Sequence, residues 1–294
     1  MLRGVPDAAQ FDAICRWMRD WFKVLPLNEA VPMLRDGRLP ARAAAITFDD
    51  GYADNHDVAL PVLQRNRLSA TVFVSPGYLD GGVMFNDSVL ESLRRAPGST
   101  LDLRQTVLGD LGVCSVASLD ARRQLVGSLL PALKKAPLAV RDEFCAQLQS
   151  AAKVAKRPDS LMMTSGQVAA LHRAGVEIGA HTMAHPILAE LDLAAATSEI
   201  QESRRVLQGI TGARINLFAY PNGKPDVDYL KSTVGIVKQA GFDAAFSTAW
   251  GVANGQSDPF QLPRFTPWDT TRWRFGVRML RNLVSQREVT ATLA

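Results

Sequence analysis

Six short apolar runs, at residues 44–48, 70–74, 176–180, 216–220, 244–248 and 262–265, alternate with segments of helical periodicity along this 294-residue chain. Runs this short and this evenly apolar suit strands buried on both faces. Strands that alternate with helices so regularly give a mainly parallel sheet, which becomes a barrel when it closes on itself. Between about residues 78 and 160 the rhythm changes to mostly helical text, with Leu90, Leu93, Leu125, Leu129, Leu130, Leu133, Phe144 and Leu148 as core candidates. The expected organisation is one α/β domain over 1–294 with a helical insertion at about 78–160.

The helical segments carry their own signals. Phe11, Ile14, Cys15, Met18 and Phe22 recur at helical spacing, and Trp17 and Trp21 widen that face. Asn28 is expected to cap a second helix that runs through Leu34. A third passes through Val58, Val62 and Leu63, with Pro61 tolerable near its first turn. Thr164 and Ser165 form a cap pair for a helix that Gly175 ends. Further helices are predicted at about 192–208 and 226–239, and Trp273, Val277, Leu280 and Val284 mark a last one.

Composition narrows the function classes. Apolar residues make up 47% and charged residues 21%, the balance of a globular enzyme and not of a disordered chain. The 33 basic and 29 acidic residues leave a charge of +4, with no long Lys/Arg run, which argues against a nucleic-acid partner. Cys15, Cys114 and Cys145 lie far apart in neither a disulfide nor a metal spacing, as expected of a reducing compartment. The N-terminal text is amphipathic without an apolar leader core, and no uncharged stretch is long enough to span a bilayer. The expectation is a cytoplasmic protein, although a trimmed exported one would read the same. Oligomeric state stays open.

The chemistry gathers at strand ends. The run at 44–48 leads into Asp49, Asp50 and Gly51. Neighbouring side chains on a strand point apart, so the two carboxylates are expected to take different roles, and their mutual repulsion invites a cation. The strand at 176–180 leads into His181-Thr-Met-Ala-His185, two imidazoles that a helix or tight turn brings to one face. Two His and one Asp leave coordination positions open, as catalytic metal sites do. The turn at Pro221 also ends a strand, and in closed α/β architectures that rim carries the active site.

Thr47-Phe48-Asp49-Asp50-Gly51 followed by His181-Thr-Met-Ala-His185-Pro186 resembles the polysaccharide deacetylase family, the NodB-homology domain of carbohydrate esterase family 4. The resemblance implies a distorted (β/α) barrel of about seven strands and a metal-dependent hydrolase that removes N-acetyl, sometimes O-acetyl, groups from sugars. It implies Asp50, His181 and His185 as ligands of a divalent cation, zinc first, with cobalt, nickel or manganese as alternatives. Asp49 would be the general base, and an acetylated glycan or sugar the substrate. Phe218-Ala-Tyr220-Pro221-Asn222-Gly223 is similar to the family's third motif, whose turn would aim the Asn222 N–H at the reacting carbonyl oxygen. Tyr220, Pro221 and Trp268 are candidate sugar contacts, and for Trp250 and Trp268 packing weighs at least as much.

Two departures stand out. The motif's arginine falls on Ala219, and the family's late Leu-x-His, whose His serves as general acid, matches Leu262-Pro263-Arg264. A guanidinium does not give up a proton near neutral pH. Arg264 is therefore expected to pair with Asp49 and hold it ionised, and protonation of the leaving amine stays unassigned between metal-bound water and a carboxylate such as Asp226 or Asp228. A deformylase or amidase acting on a small or lipid-linked sugar, and an idle sugar-binding homologue, are the rival readings.

Overall fold

The computed structural model describes residues 7–154, 161–267, 269–284 and 289–293. They fall into two compact units, one of residues 1–79 and 163–294 and one of residues 80–162.

The first unit is built on a five-stranded, all-parallel sheet. Its strands are β3 (Thr47–Phe48), β4 (Thr71–Val74), β7 (Glu177–Ala180), β8 (Leu217–Ala219) and β9 (Ala244–Phe246), side by side in that order. The order follows the sequence without reversal, so every crossover winds the same way and the sheet curls as a half-barrel. A parallel pair, β1 (Lys23–Val24) and β2 (Ala43–Ala44), stands apart from it. The sixth predicted strand, at 262–265, is reduced to one bridge between Phe246 and Leu262. Five regular strands thus stand where about seven were expected, because the prolines and loop residues around that segment leave no longer ladder.

Residues alternate between the two faces of the sheet. Val72, Val74, Ile178, Phe218 and Ala245 pack with Val168, Leu171, Ile200, Leu207 and Val237 on the outer face. Those partners come from α7 (Ser165–Arg173), α8 (Leu193–Thr211) and α9 (Lys231–Gln239). Phe73, Leu217, Ala219, Ala244 and Phe246 face inward, against Leu27, Val31 and Leu34 of α2 (Leu27–Arg35). α1 (Ala8–Trp21) lays Cys15 and Phe11 against Val62 and Leu63 of α3 (Leu60–Asn66).

Several local readings hold and several need correction. Thr164 caps α7 in a reciprocal box with Gln167, as its sequence signals. α2 begins one residue earlier than its predicted cap: Pro26 is the N-cap and Asn28 lies in the first turn. A π-helical turn at Asn55–Ala59 precedes α3, so Pro61 enters at a first turn, where its missing N–H costs nothing. The helix expected from 226 starts only at Lys231, because Asp226 takes a left-handed backbone at φ 60°. α10 (Arg272–Val284) forms where predicted, yet its anticipated apolar stripe is not the buried one. Phe275 is fully buried, whereas Trp273, Leu280 and Val284 are exposed. Phe275 is the anchor because Trp17 and Trp21 of α1 close on its ring at 5.5 and 6.2 Å.

The second unit packs α4 (Phe85–Arg95), α5 (Leu119–Lys135) and α6 (Leu138–Ala151) around Leu93, Leu129, Leu133, Phe144 and Leu148. Val89 replaces Leu90 in that core, and an antiparallel pair, β5 (Thr100–Asp102) with β6 (Val113–Ser115), interrupts the helices. Three-residue strands with exposed ends carry too little periodicity to be read beforehand. Among the described residues no helix is long and apolar enough to cross a membrane.

Candidate functional site

Asp50, His181 and His185 come together. One ligand atom from each lies within 4.8 Å of the others. The Nε2 atoms of His181 and His185 sit 3.5 and 3.4 Å from Asp50 Oδ1. The His181 Nδ1 lies 2.7 Å from the carbonyl oxygen of Ala219, at the end of β8. A carbonyl can only accept, so Nδ1 carries the hydrogen and the neutral ring presents its Nε2 lone pair to the cluster. Burial opposes a charge on His181, but Asp50 and Asp49 outweigh it and raise the imidazole pKa. A pocket that draws positive charge onto a buried ring, with a carboxylate and two imidazoles converging, fits a divalent cation.

Asp49 turns elsewhere. Its carboxylate takes a two-pronged contact from Arg264, Nη1 to Oδ1 at 2.8 Å and Nη2 to Oδ2 at 3.0 Å. Arg264 is itself fixed: Nε donates to the Ser247 carbonyl, Nη1 to Thr47 Oγ1, and the guanidinium lies 5.2 Å from the Phe73 ring centre. Burial pushes the Asp49 carboxyl up, yet the Arg264 guanidinium and the two imidazoles outweigh it and hold the pKa below the ordinary carboxylate value. The result is an ionised carboxylate, one-third exposed, beside the ligand cluster.

The backbone bends sharply at these positions. Asp50, Thr182, His185 and Asn222 all have left-handed φ, at 74°, 62°, 50° and 60°. Such conformations cost about 1–3 kcal/mol each and persist only where the surroundings enforce them. At Gly51, φ is 95° and a Cβ would meet Val74 Cγ1 at 2.9 Å, so only glycine follows the two aspartates without displacement.

A set of residues that the sequence did not single out holds the His181–His185 loop. Glu199 Oε2, on α8, accepts the Met183 and Ala184 N–H groups at 2.8 and 2.9 Å. Ser75 Oγ donates to the His181 carbonyl at 2.7 Å, while the Ser75 N–H donates to the Asp50 carbonyl at 3.1 Å. Tyr78 Oη donates to Ala184, and the Gly77 N–H to Met183. Ser75 did carry a signal, a polar residue closing an apolar run on the same rim. Glu199 had none.

Other candidates fare differently. Tyr220 is not a sugar contact: it is fully buried, stacks on Tyr229 at 3.8 Å and donates its hydroxyl to the Phe260 carbonyl at 2.9 Å. Pro221 is buried beside it. Asn222 stands at the apex of the turn, with the Gly223 N–H donating to Pro221 and Thr248 Oγ1 donating to the Asn222 carbonyl. Trp268 lies outside the described residues. Trp250 is exposed and tilts against Phe265 at 5.9 Å. Asp226 is no proton donor: its carboxylate accepts from the backbone of Leu293 and Thr292 and from the Thr292 hydroxyl, which lowers its pKa. Asp228 is buried and accepts the Lys224 N–H.

Comparison with known proteins identifies the relatives of this chain. A stretch of 67 residues, 22% of this chain, is 39% identical to the Bacillus subtilis polysaccharide deacetylase relative YxkH, and spans 24% of that protein's length. Among solved structures, the Streptococcus pyogenes deacetylase PplD, in complex with acetate, superposes with a TM-score of 0.61 at 17% identity, over 96% of this chain and 89% of its own. IcaB from Ammonifex degensii gives 0.58 at 17% identity over 93% of each chain. Both likenesses establish the fold. The sequence profile described as polysaccharide deacetylase matches residues 36–97 and 124–245, more than half of the length, and the chain belongs to the polysaccharide deacetylase family.

Proposed function

We propose that this protein is a metal-dependent hydrolase that removes N-acetyl, or O-acetyl, groups from a polysaccharide or glycoconjugate. The observation that carries the reading is the separation of two adjacent carboxylates, Asp50 toward two imidazoles and Asp49 onto Arg264. Asp50, His181 and His185 would hold the divalent cation, zinc in the first place. When bound there, such an ion supplies Lewis acidity, which polarises an acyl carbonyl and makes water acidic enough to attack at neutral pH.

The remaining roles fall to the chain's own side chains. Asp49, kept ionised by Arg264, accepts a proton from the attacking water at one carboxylate oxygen. The hydroxyl adds to the acyl carbon and the C–N bond breaks, releasing acetate. Arg264 has no proton to give, so the proton taken up by Asp49 is the one that neutralises the leaving nitrogen. The Asn222 N–H, at the turn after β8, is the donor assigned to the carbonyl oxygen as negative charge develops there.

Acetate release from acetylated chitooligosaccharides, with metal quantified in the same preparations, tests this reading. Asp49→Asn should lower turnover by roughly 10²–10⁴-fold with metal content retained. His181→Ala should lose the metal along with the activity. Wild-type turnover in Asp49→Asn would remove that carboxylate from the reaction. Metal binding without any acetate release by the wild-type chain would favour an idle sugar-binding homologue.

A further inference from the structure

α10 carries its apolar stripe outward. Trp273 is 80% exposed, Leu280 62% and Val284 78%. At roughly 100° per residue these three share one face with Val277. The thirteen residues of α10 include four arginines and no acidic residue. Arg272 and Arg278 are engaged by Asp20 and Asp269. Arg274 and Arg281 are exposed, form no ion pair among the described residues, and follow the stripe along one side. Tryptophan and leucine bordered by arginine is the pattern of a helix that lies in an anionic lipid interface.

The stripe also borders a groove that is open to solvent along α10. Trp273, Val277 and Leu280 form the outer edge of this half-open cavity of about 1730 Å³, larger than the roughly 300–1,000 Å³ of ordinary small-molecule sites. Its walls are mainly apolar, with Phe11, Met18, Phe22, Val31 and Phe265 among them, and they reach Asp49, Asp50 and Arg264. A sugar alone needs neither that volume nor that lining. An apolar path from an exposed cationic helix to the candidate active site suits a substrate whose sugar is attached to a hydrocarbon chain.

We propose that α10 seats this protein on an anionic lipid surface, and that the cavity beside it takes the hydrocarbon portion of a lipid-anchored glycan whose sugar is presented to Asp49. The second half rests on the deacetylase reading; the first does not. Cosedimentation with phosphatidylglycerol/phosphatidylcholine vesicles tests the surface. The wild-type chain should sediment with these vesicles and not with pure phosphatidylcholine. Its bound fraction should fall as salt rises. The triple variant Trp273→Ser, Leu280→Ser, Val284→Ser should lose binding at an unchanged melting temperature, since all three side chains are already exposed. Arg274→Gln with Arg281→Gln should weaken it by roughly tenfold or more. Absence of wild-type binding, or binding that neither variant changes, would overturn the assignment. So would a concentration-dependent dimer abolished by the triple variant, because a second copy would then cover the stripe.

The cavity is tested by calorimetry, without turnover, using the octyl and methyl glycosides of N-acetylglucosamine. The octyl compound should bind at least about tenfold more tightly, through the methylenes it buries. Equal affinities would overturn the cavity half. Tight octyl binding with no acetate release would instead sink the deacetylase reading alone.

Discussion

Asp49 and Asp50 start with the same intrinsic acidity and leave β3 in different directions, one onto a guanidinium and the other toward two imidazoles. The guanidinium that holds Asp49 ionised comes from position 264, in a segment 215 residues away. Between the two imidazoles the loop is held by Glu199, whose single oxygen receives the Met183 and Ala184 N–H groups. Glu199→Ala should therefore weaken metal binding by about 10–100-fold, the usual effect of losing a group that orients a ligand. Glu199→Gln, whose amide oxygen can still accept both N–H groups, should restore most of it. Calorimetric zinc titration of the two variants is the check; wild-type affinity in Glu199→Ala would show that the loop holds itself. Ser75 acts in the same way on both ligand segments, through its hydroxyl and its N–H.

At the level of single elements, the centre of the sheet is matched to its neighbours with little slack. Gly179 of β7 lies under Phe73: a Cβ there would come within 2.4 Å of the ring. The same ring carries the Arg264 guanidinium on its face and lies 5.4 Å from Phe246. Gly179→Ala is expected to destabilise the fold by about 1–3 kcal/mol, as overpacking does, and by tilting Phe73 to disturb Arg264 as well. Denaturant unfolding measures the first effect; a midpoint equal to wild type would mean that the ring has room to move. α10 shows the opposite situation. Its burial rests on Phe275, closed in by Trp17 and Trp21, and on the Asn282 amide donating to the Gly251 carbonyl at 3.0 Å, while Trp273, Leu280 and Val284 remain exposed.

For the molecule as a whole, the last described residues are tied back by one carboxylate. Asp226 accepts the Thr292 and Leu293 N–H groups and the Thr292 hydroxyl, and the Lys231 N–H donates to the Leu293 carbonyl. Hydrogen bonds from Leu293 and Thr292 hold the Asp226 pKa below its ordinary value. A carboxylate with a depressed folded pKa stabilises above its unfolded pKa and loses that contribution as pH falls through the folded one. Residues 289–293 should thus stay protected from amide exchange at neutral pH and become exposed only as the medium is acidified past the ordinary carboxylate range. Asp226→Ala should expose them at every pH. Protection that is independent of both would assign the anchoring to Ala291, which is buried and donates its N–H to Gln261.

Much of this architecture could be read from the chain because it depends on local periods. The apolar runs at 70–74 and 176–180 and the cap at Thr164 are set by residues within a few positions of one another. The candidate ligands could be read for the same reason, since Asp50 and His181 follow strand ends on the rim where a parallel sheet places its chemistry, and His185 lies four residues after His181. Tyr220 and the α10 stripe could not. Whether an aromatic or a leucine faces the core or the solvent depends on what packs opposite: Tyr229 covers Tyr220, whereas Trp273, Leu280 and Val284 stay exposed. Glu199, Phe73 and Gly179 likewise become meaningful only once segments distant in sequence have met. Local chemistry writes the strand ends, and long-range packing selects the partner that each side chain finds there.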